Sequence, residues 1–218
     1  IQFIQTDDLK AITPTNLKGL TTAQAASLSQ DQIRALTTAQ LAAMETADFA
    51  ILSTSGIAGL TKAAIESMTT AHAAALTATG IVGFTSTQIQ FIETADLRAI
   101  LPNSLTGLTT AQTAALTQNQ VRALTSAQFA VMETADLAAM TGGQIGVLNS
   151  AQVGALSSAQ ISALTATQVP SFSLEGLQAM TPAGLAALST AKIAALSDVQ
   201  FGNLTTAQMT QLTTAQMQ

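Results

Sequence analysis

The stretch Ala35-Leu36-Thr37-Thr38-Ala39-Gln40-Leu41-Ala42 decides the fold, because nearly every other part of the chain is a variation on its eight letters. Counting from Gln2 in steps of eight divides the 218 residues into 27 octads ending at Met217, with no insertion or deletion. Internal repetition therefore has to be read before anything else. With Leu36 at position three, Thr37 at four, Gln40 at seven and Leu41 at eight, position three is Leu, Ile, Met or Phe in all 27 octads. Position eight is apolar in every octad except the one holding Thr113. Position four is Ser or Thr in 21 octads, and position seven is Gln in 14 and Asp in 4.

These offsets have a common physical cause. Thr at four and Gln at seven carry the spacing of a capping box, in which each side chain satisfies a free backbone N–H at a helix start. The apolar residues at three and eight are five apart, the distance of a hydrophobic staple across the same helix start. From position eight to the next position three is a step of three, so both apolar side chains share one face of a short helix. A strand would send them to opposite faces. Pro14, Pro102 and Pro182 all fall at position five, the first helical position, where the missing N–H costs nothing. Only Pro170, at position one, departs from this. Lys10, Lys18, Arg34, Arg98 and Arg122 sit at position one, near the helix end, and Asp8, Asp48, Asp96 and Asp136 at position seven, in the first turn, as the helix dipole favours.

Each octad thus reads as a short helix from position five to position two or three, followed by a corner at the next Ser or Thr. Helices this short persist in water only when neighbours stack and share a core. The expected fold is all-α, a solenoid of short capped helices over residues 1–218 as a single domain, with no linker. Position two is Ala, Gly or Ser in 20 octads, which predicts close backbone approach there. A continuous long helix is the competing picture, and capping residues with N1 prolines every eight residues argue against it. A longer period of 88 residues, or 11 octads, overlies the octads. Ile1 to Ile12 returns as Ile89 to Ile100, and Met44-Glu45-Thr46-Ala47-Asp48-Phe49 as Met132-Glu133-Thr134-Ala135-Asp136-Leu137. Superrepeats are expected at about 1–88 and 89–176, with a partial third copy at 177–218.

Composition narrows the function. Charged residues are 9% of the chain and aromatics 3%, and the net charge is −5, which argues against a basic surface for nucleic acid. The mean hydropathy is +0.39, yet polar residues recur in every octad and no membrane-spanning run exists, so no membrane insertion is expected. There is no cysteine to report a redox compartment. Ile1 enters at position eight with neither Met nor a signal peptide, as in a piece of a longer protein or a mature product. No catalytic, cofactor-binding or metal-binding residue is assigned. His72 is the only histidine and stands where a capping Gln usually does. Thr141-Gly142-Gly143-Gln144-Ile145-Gly146 lacks the strand and Lys of a phosphate loop and reads as a loosened octad. Asn203-Leu204-Thr205 matches a glycosylation sequon, but Thr205 is needed as a cap. The methionines and phenylalanines, mostly at positions three and eight, read as core fillers. Asp8, Asp48, Asp96 and Asp136 are spaced by 40, 48 and 40 residues; a coil of about five and a half octads, or a simple fraction of that, would align them into a stripe suited to Ca²⁺ or to bases of a neighbouring molecule. The favoured reading makes them capping variants on a solvated face.

The octads Leu20-Thr21-Thr22-Ala23-Gln24, Leu108-Thr109-Thr110-Ala111-Gln112 and Leu204-Thr205-Thr206-Ala207-Gln208 resemble the degenerate repeats of very large bacterial secreted or surface proteins of adhesion-like type. That resemblance implies an extracellular or cell-surface stalk, adhesin or fibre and brings no residue with chemistry. The expected function is structural and non-enzymatic: an array that continues or self-associates end to end, because neither end carries a polar cap. The alternative is a module that binds a repetitive surface ligand, a glycan or less readily ice, through Thr at position five, which is Ser or Thr in 16 octads.

Overall fold

A computed structural model describes residues 3–218. Among these residues it contains 25 short α-helices and two 3-10 helices, and no strand. The helices begin at position five of successive octads, as in Thr6–Ala11, Pro14–Leu17, Thr22–Ala26, Gln30–Ala35 and Thr38–Ala43. The chain forms two compact units, residues 1–115 and 116–218.

The local chemistry read from the octad is what builds these helices. Thr37 Oγ1 accepts from Gln40 N at 3.2 Å while Gln40 Oε1 accepts from Thr37 N at 2.8 Å, a complete capping box. The same reciprocal pair opens Gln30–Ala35 at Ser29 and Ser158–Ala163 at Ser157. Asn149 substitutes for Ser or Thr before Ser150–Gly154 with its side-chain oxygen in the same role. Pro14, Pro102 and Pro182 open their helices. Pro170 lies inside the 3-10 helix Val169–Ser171 instead, where an α-helix would need the N–H that proline lacks. Thr141 boxes with Gln144 to open Gly142–Ile145, so that glycine-rich octad is regular rather than loosened.

Positions three and eight make the core. From Leu28 to Leu212 every position-three residue is buried, and Leu9, Ile33, Leu41, Ile57, Ile65 and Ile81 at position eight are fully so. Thr113, the polar exception at position eight, is buried as well.

Helices stack on helices three octads away: Gln30–Ala35 on Thr54–Gly59, and Thr70–Ala75 on Thr94–Ala99 in the first unit, Ser150–Gly154 on Leu174–Ala179 in the second. Side-chain hydrogen bonds between successive coils join residues 28 to 31 apart. A coil is therefore about three and a half octads, and each helix lies over the gap between two helices of the coil before. Position two is the point of tightest approach. A Cβ on Gly83 would stand 2.7 Å from Ile57 Cβ and 2.8 Å from the Thr54 carbonyl oxygen. One on Gly59 or Gly107 would meet the carbonyl oxygens of Gln30 and Ala78 closer still.

Candidate functional site at the seams between coils

Position seven carries the chemistry of this fold. It is the third residue of its helix, so its side chain can turn back to the N-cap; stacking also lays it over the helix ends of the preceding coil. Gln40 does both. Its Oε1 accepts from Thr37 N, and its Nε2 donates to Leu9 O at 2.8 Å and Ile12 O at 2.7 Å. Leu9 and Ile12 lie in the last turn and at the C-cap of Thr6–Ala11. Carbonyls there lack the regular partner four residues on, and Leu9 O has within its own helix only the C-cap N–H of Ile12 at 3.2 Å. One amide thus satisfies the start of one helix and the end of another a full coil away.

The clasp recurs through each unit. In the first, Gln88 donates to Leu60 O at 2.7 Å and Gln112 to Ile81 O at 2.9 Å. In the second, Gln152 reaches Val121 O and Leu124 O, Gln160 reaches Phe129 O and Met132 O, Gln168 reaches Leu137 O and Met140 O, and Gln208 reaches Leu177 O and Met180 O, all at 2.6–2.9 Å. These glutamines are nearly inaccessible, Gln40 and Gln208 being 1% exposed. Two other residues make the same contact by different chemistry. His72 Nδ1 accepts from Thr69 N while Nε2 lies 2.8 Å from Met44 O, and its ring stacks on Phe49 with centroids 4.8 Å apart. Lys192 Nζ donates to Ser162 O at 2.5 Å. The sequence reading gave Gln only its capping role. The overlooked signal was the identity of the amide: a capping box accepts Glu as readily as Gln, yet Glu occurs at position seven in no octad.

The aspartates break the rule. Asp48, Asp96 and Asp136 are 2–3% exposed, which corrects the expectation of a solvated face. Stacking on a preceding coil buries position seven at every octad but two, where Lys192 and Gln200 are half-buried. Asp8 has no residue 28 positions before it in this sequence and is exposed. The helices they belong to, Thr46–Ala50, Thr94–Ala99 and Thr134–Ala139, have Glu45, Glu93 and Glu133 at the N-cap and no side-chain cap hydrogen bond. Asp48 Oδ2 is buried with no hydrogen-bond partner. Burial, reinforced by the neighbouring Glu carboxylate, raises all three carboxyls above the ordinary range, that of Asp136 to about 6. At about three and a half octads per coil, spacings of 40 and 48 residues put Asp8, Asp48 and Asp96 on different sides of the first unit rather than in one stripe. Among the described residues no group of three or more His, Cys, Asp or Glu side chains is placed to hold a metal ion.

Asn203 of the sequon is exposed, but its Nδ2 donates to Val199 O at 2.8 Å, and Thr205 caps the next helix by accepting from Gln208 N. Among the described residues no helix is long and apolar enough to cross a membrane.

The octad and its seam have a family counterpart. The model of the ALTTAQ repeat matches residues 1–38, 41–78, 89–126, 129–166 and 177–214, most of the chain. The chain belongs to the ALTTAQ repeat family. Each ALTTAQ segment is 38 residues, longer than one coil. Successive segments start 40 or 48 residues apart, the spacing of the aspartates, and Asp8, Asp48, Asp96 and Asp136 are each the eighth residue of an ALTTAQ segment. In the fifth segment that place is Gly184. No curated protein matches the chain.

Proposed function

We propose that the chain is a structural repeat array, an extracellular stalk or fibre element of the adhesion-like type that its Leu-Thr-Thr-Ala-Gln octads resemble. It is extended by further coils or by end-to-end association with another copy, and it carries no catalysis. The supporting observation is the seam. A row of side-chain donors on one coil meets a row of helix-end carbonyls on the coil before, and the two rows recur with the same chemistry at seam after seam within each unit. A surface of that kind is complementary to another copy of itself.

Multi-angle light scattering against concentration, with electron microscopy of the same samples, tests the assembly. Growth into rods whose width is constant is expected. A strictly monomeric, stable protein at high concentration rules assembly out. The alternative, a module for a repetitive ligand such as a glycan or ice, draws on the exposure of Thr22, Thr38, Thr46, Thr54 and Thr70 at position five. Binding on a glycan array, or thermal hysteresis, is the result that favours it.

A further inference from the structure

Every polar side chain for which a bond from position seven to an earlier coil is described here acts as a donor: the glutamine amides, the His72 ring and the Lys192 ammonium. An ionised Asp has only acceptors to offer. By the register that sets Gln40 over Leu9 and Ile12, Asp48 stands over residues 17 and 20 of the preceding coil. Its Oδ2 is buried and no hydrogen bond reaches it. Asp96 occupies the corresponding place over residues 65 and 68, at 3% exposure. Both octads also lack the Thr hydroxyl at position four and hold a Glu there instead. The missing component at these seams is a positive charge or a proton on the carboxyl. Ca²⁺ takes six to eight oxygens, and among the described residues no group of three or more His, Cys, Asp or Glu side chains is placed to hold a metal ion. A proton needs no such group.

We propose that the Glu-Thr-Ala-Asp octads are acid-tightened seams: a protonated Asp48 or Asp96 donates its O–H to the preceding coil as the Gln amide does elsewhere, and ionisation loosens that coil locally. The charges around each group agree with this. Asp48 is faced by Glu45 on its own helix. Of the helices packed on it, Thr22–Ala26 carries no titratable group and Thr70–Ala75 carries only His72, whose ring lies on Phe49. Asp96 has Glu93 and Arg98 on its own helix and His72 across the packing. Burial and Glu93 raise its carboxyl, and His72 lowers it. Asp136, in the same octad type, lies beside Glu133 with its carboxyl at about 6, and the helix Ser158–Ala163 packed on it has no titratable group. A carboxyl whose folded pKa is raised stabilises the fold fully below its unfolded value and loses that contribution as pH rises through the folded one. The contribution is therefore complete in acid and is lost as pH rises past each raised carboxyl, which for Asp136 lies at about 6. In a solenoid each coil meets only its neighbours, so the loosening stays near the seam.

The test follows thermal unfolding of the whole chain by circular dichroism between about pH 4.5 and pH 8, beside the Asp48→Asn/Asp96→Asn double variant, in which each carboxyl becomes a permanent donor. The wild type is expected to lose several degrees of Tm as pH rises; the double variant loses less, keeping only the part that belongs to Asp136, and melts higher at about pH 7.5. Carboxyl carbon NMR titration of the wild type, which requires no variant to fold, should give Asp48 and Asp96 midpoints above the ordinary aspartate range. Ordinary midpoints, or equal pH slopes in wild type and double variant, overturn the proposal. So does recovery of the wild-type Tm by millimolar Ca²⁺ at about pH 7.5, which assigns the gap to a metal ion.

Discussion

Replacing Gln160 by Glu changes one atom type without changing shape, and it isolates the seam from every other term. Gln160 is 4% exposed; its Oε1 accepts from Ser157 N at 2.8 Å, and its Nε2 donates to Phe129 O at 2.9 Å and Met132 O at 2.7 Å. A carboxylate keeps the first bond, because it too accepts. Its second oxygen then confronts two carbonyls. Phe129 O keeps only the Met132 N–H, Met132 O loses its amide donor, and a bond lost at a buried acceptor is worth about 1–3 kcal/mol; the uncompensated charge adds to this. We expect Gln160→Glu to lose about 3–5 kcal/mol at about pH 7.5. At about pH 4 the protonated Glu donates one O–H, so the loss should shrink to about 1–2 kcal/mol, the share of the carbonyl still unmet. Gln160→Ala, which also gives up the box, should cost about 2–4 kcal/mol at both pH values. Urea unfolding at the two pH values, read by far-UV circular dichroism and by amide exchange around residues 129–132, measures all three. A Gln160→Glu protein within about 0.5 kcal/mol of wild type at neutral pH would refute the role given to the clasp, since unremarkable surface substitutions fall in that range. A large loss identical at both pH values would refute the electrostatic account of it.

Other substitutions examine the remaining parts of the octad. Thr37→Ala removes the N-cap hydroxyl that Gln40 N donates to and should cost about 0.5–2 kcal/mol in thermal unfolding. Gly83→Ala forces a Cβ onto Ile57 and the Thr54 backbone and should cost about 1–3 kcal/mol, whereas Gly202→Ala, with open space around it, should be neutral or stabilise by about 0.4–1 kcal/mol. Phe129→Ala opens a void at a fully buried position eight and should cost about 3–5 kcal/mol. Dissolving the exposed pairs Lys10–Asp7 and Arg34–Asp31 with salt should leave Tm nearly unchanged, because ion pairs open to water contribute about 0–1 kcal/mol.

The helix starts were legible in the sequence because everything that makes them lies within five residues. The box between Thr37 and Gln40, the staple from Leu36 to Leu41 and the prolines at 14, 102 and 182 all act inside one helical turn and its flank, and the structure places each as read. Position two was legible for a related reason: small residues there have no other account, and Gly59, Gly83 and Gly107 do sit against backbone or side chains one coil away. Position seven was read only in part. Its link to its own N-cap was evident, but its second partner lies 28 or 31 residues earlier, where no local rule reaches.

The sequence by itself determined the all-α class, the corner at every eighth residue and the two apolar positions that form the core. Only the tertiary structure decided how many octads make a coil, and with it which carbonyls meet Gln40, that Asp48, Asp96 and Asp136 are buried, and that the aspartates of the first unit do not form a stripe. The reason lies in the repeat itself. When every octad offers much the same donor and the same helix-end carbonyls, many ways of laying one coil on another pair the same residue types, so an eight-residue period carries almost no information about coil length. Packing at positions two, three and eight makes that choice, through side-chain volume and backbone approach, and it is made only when the coils close on one another.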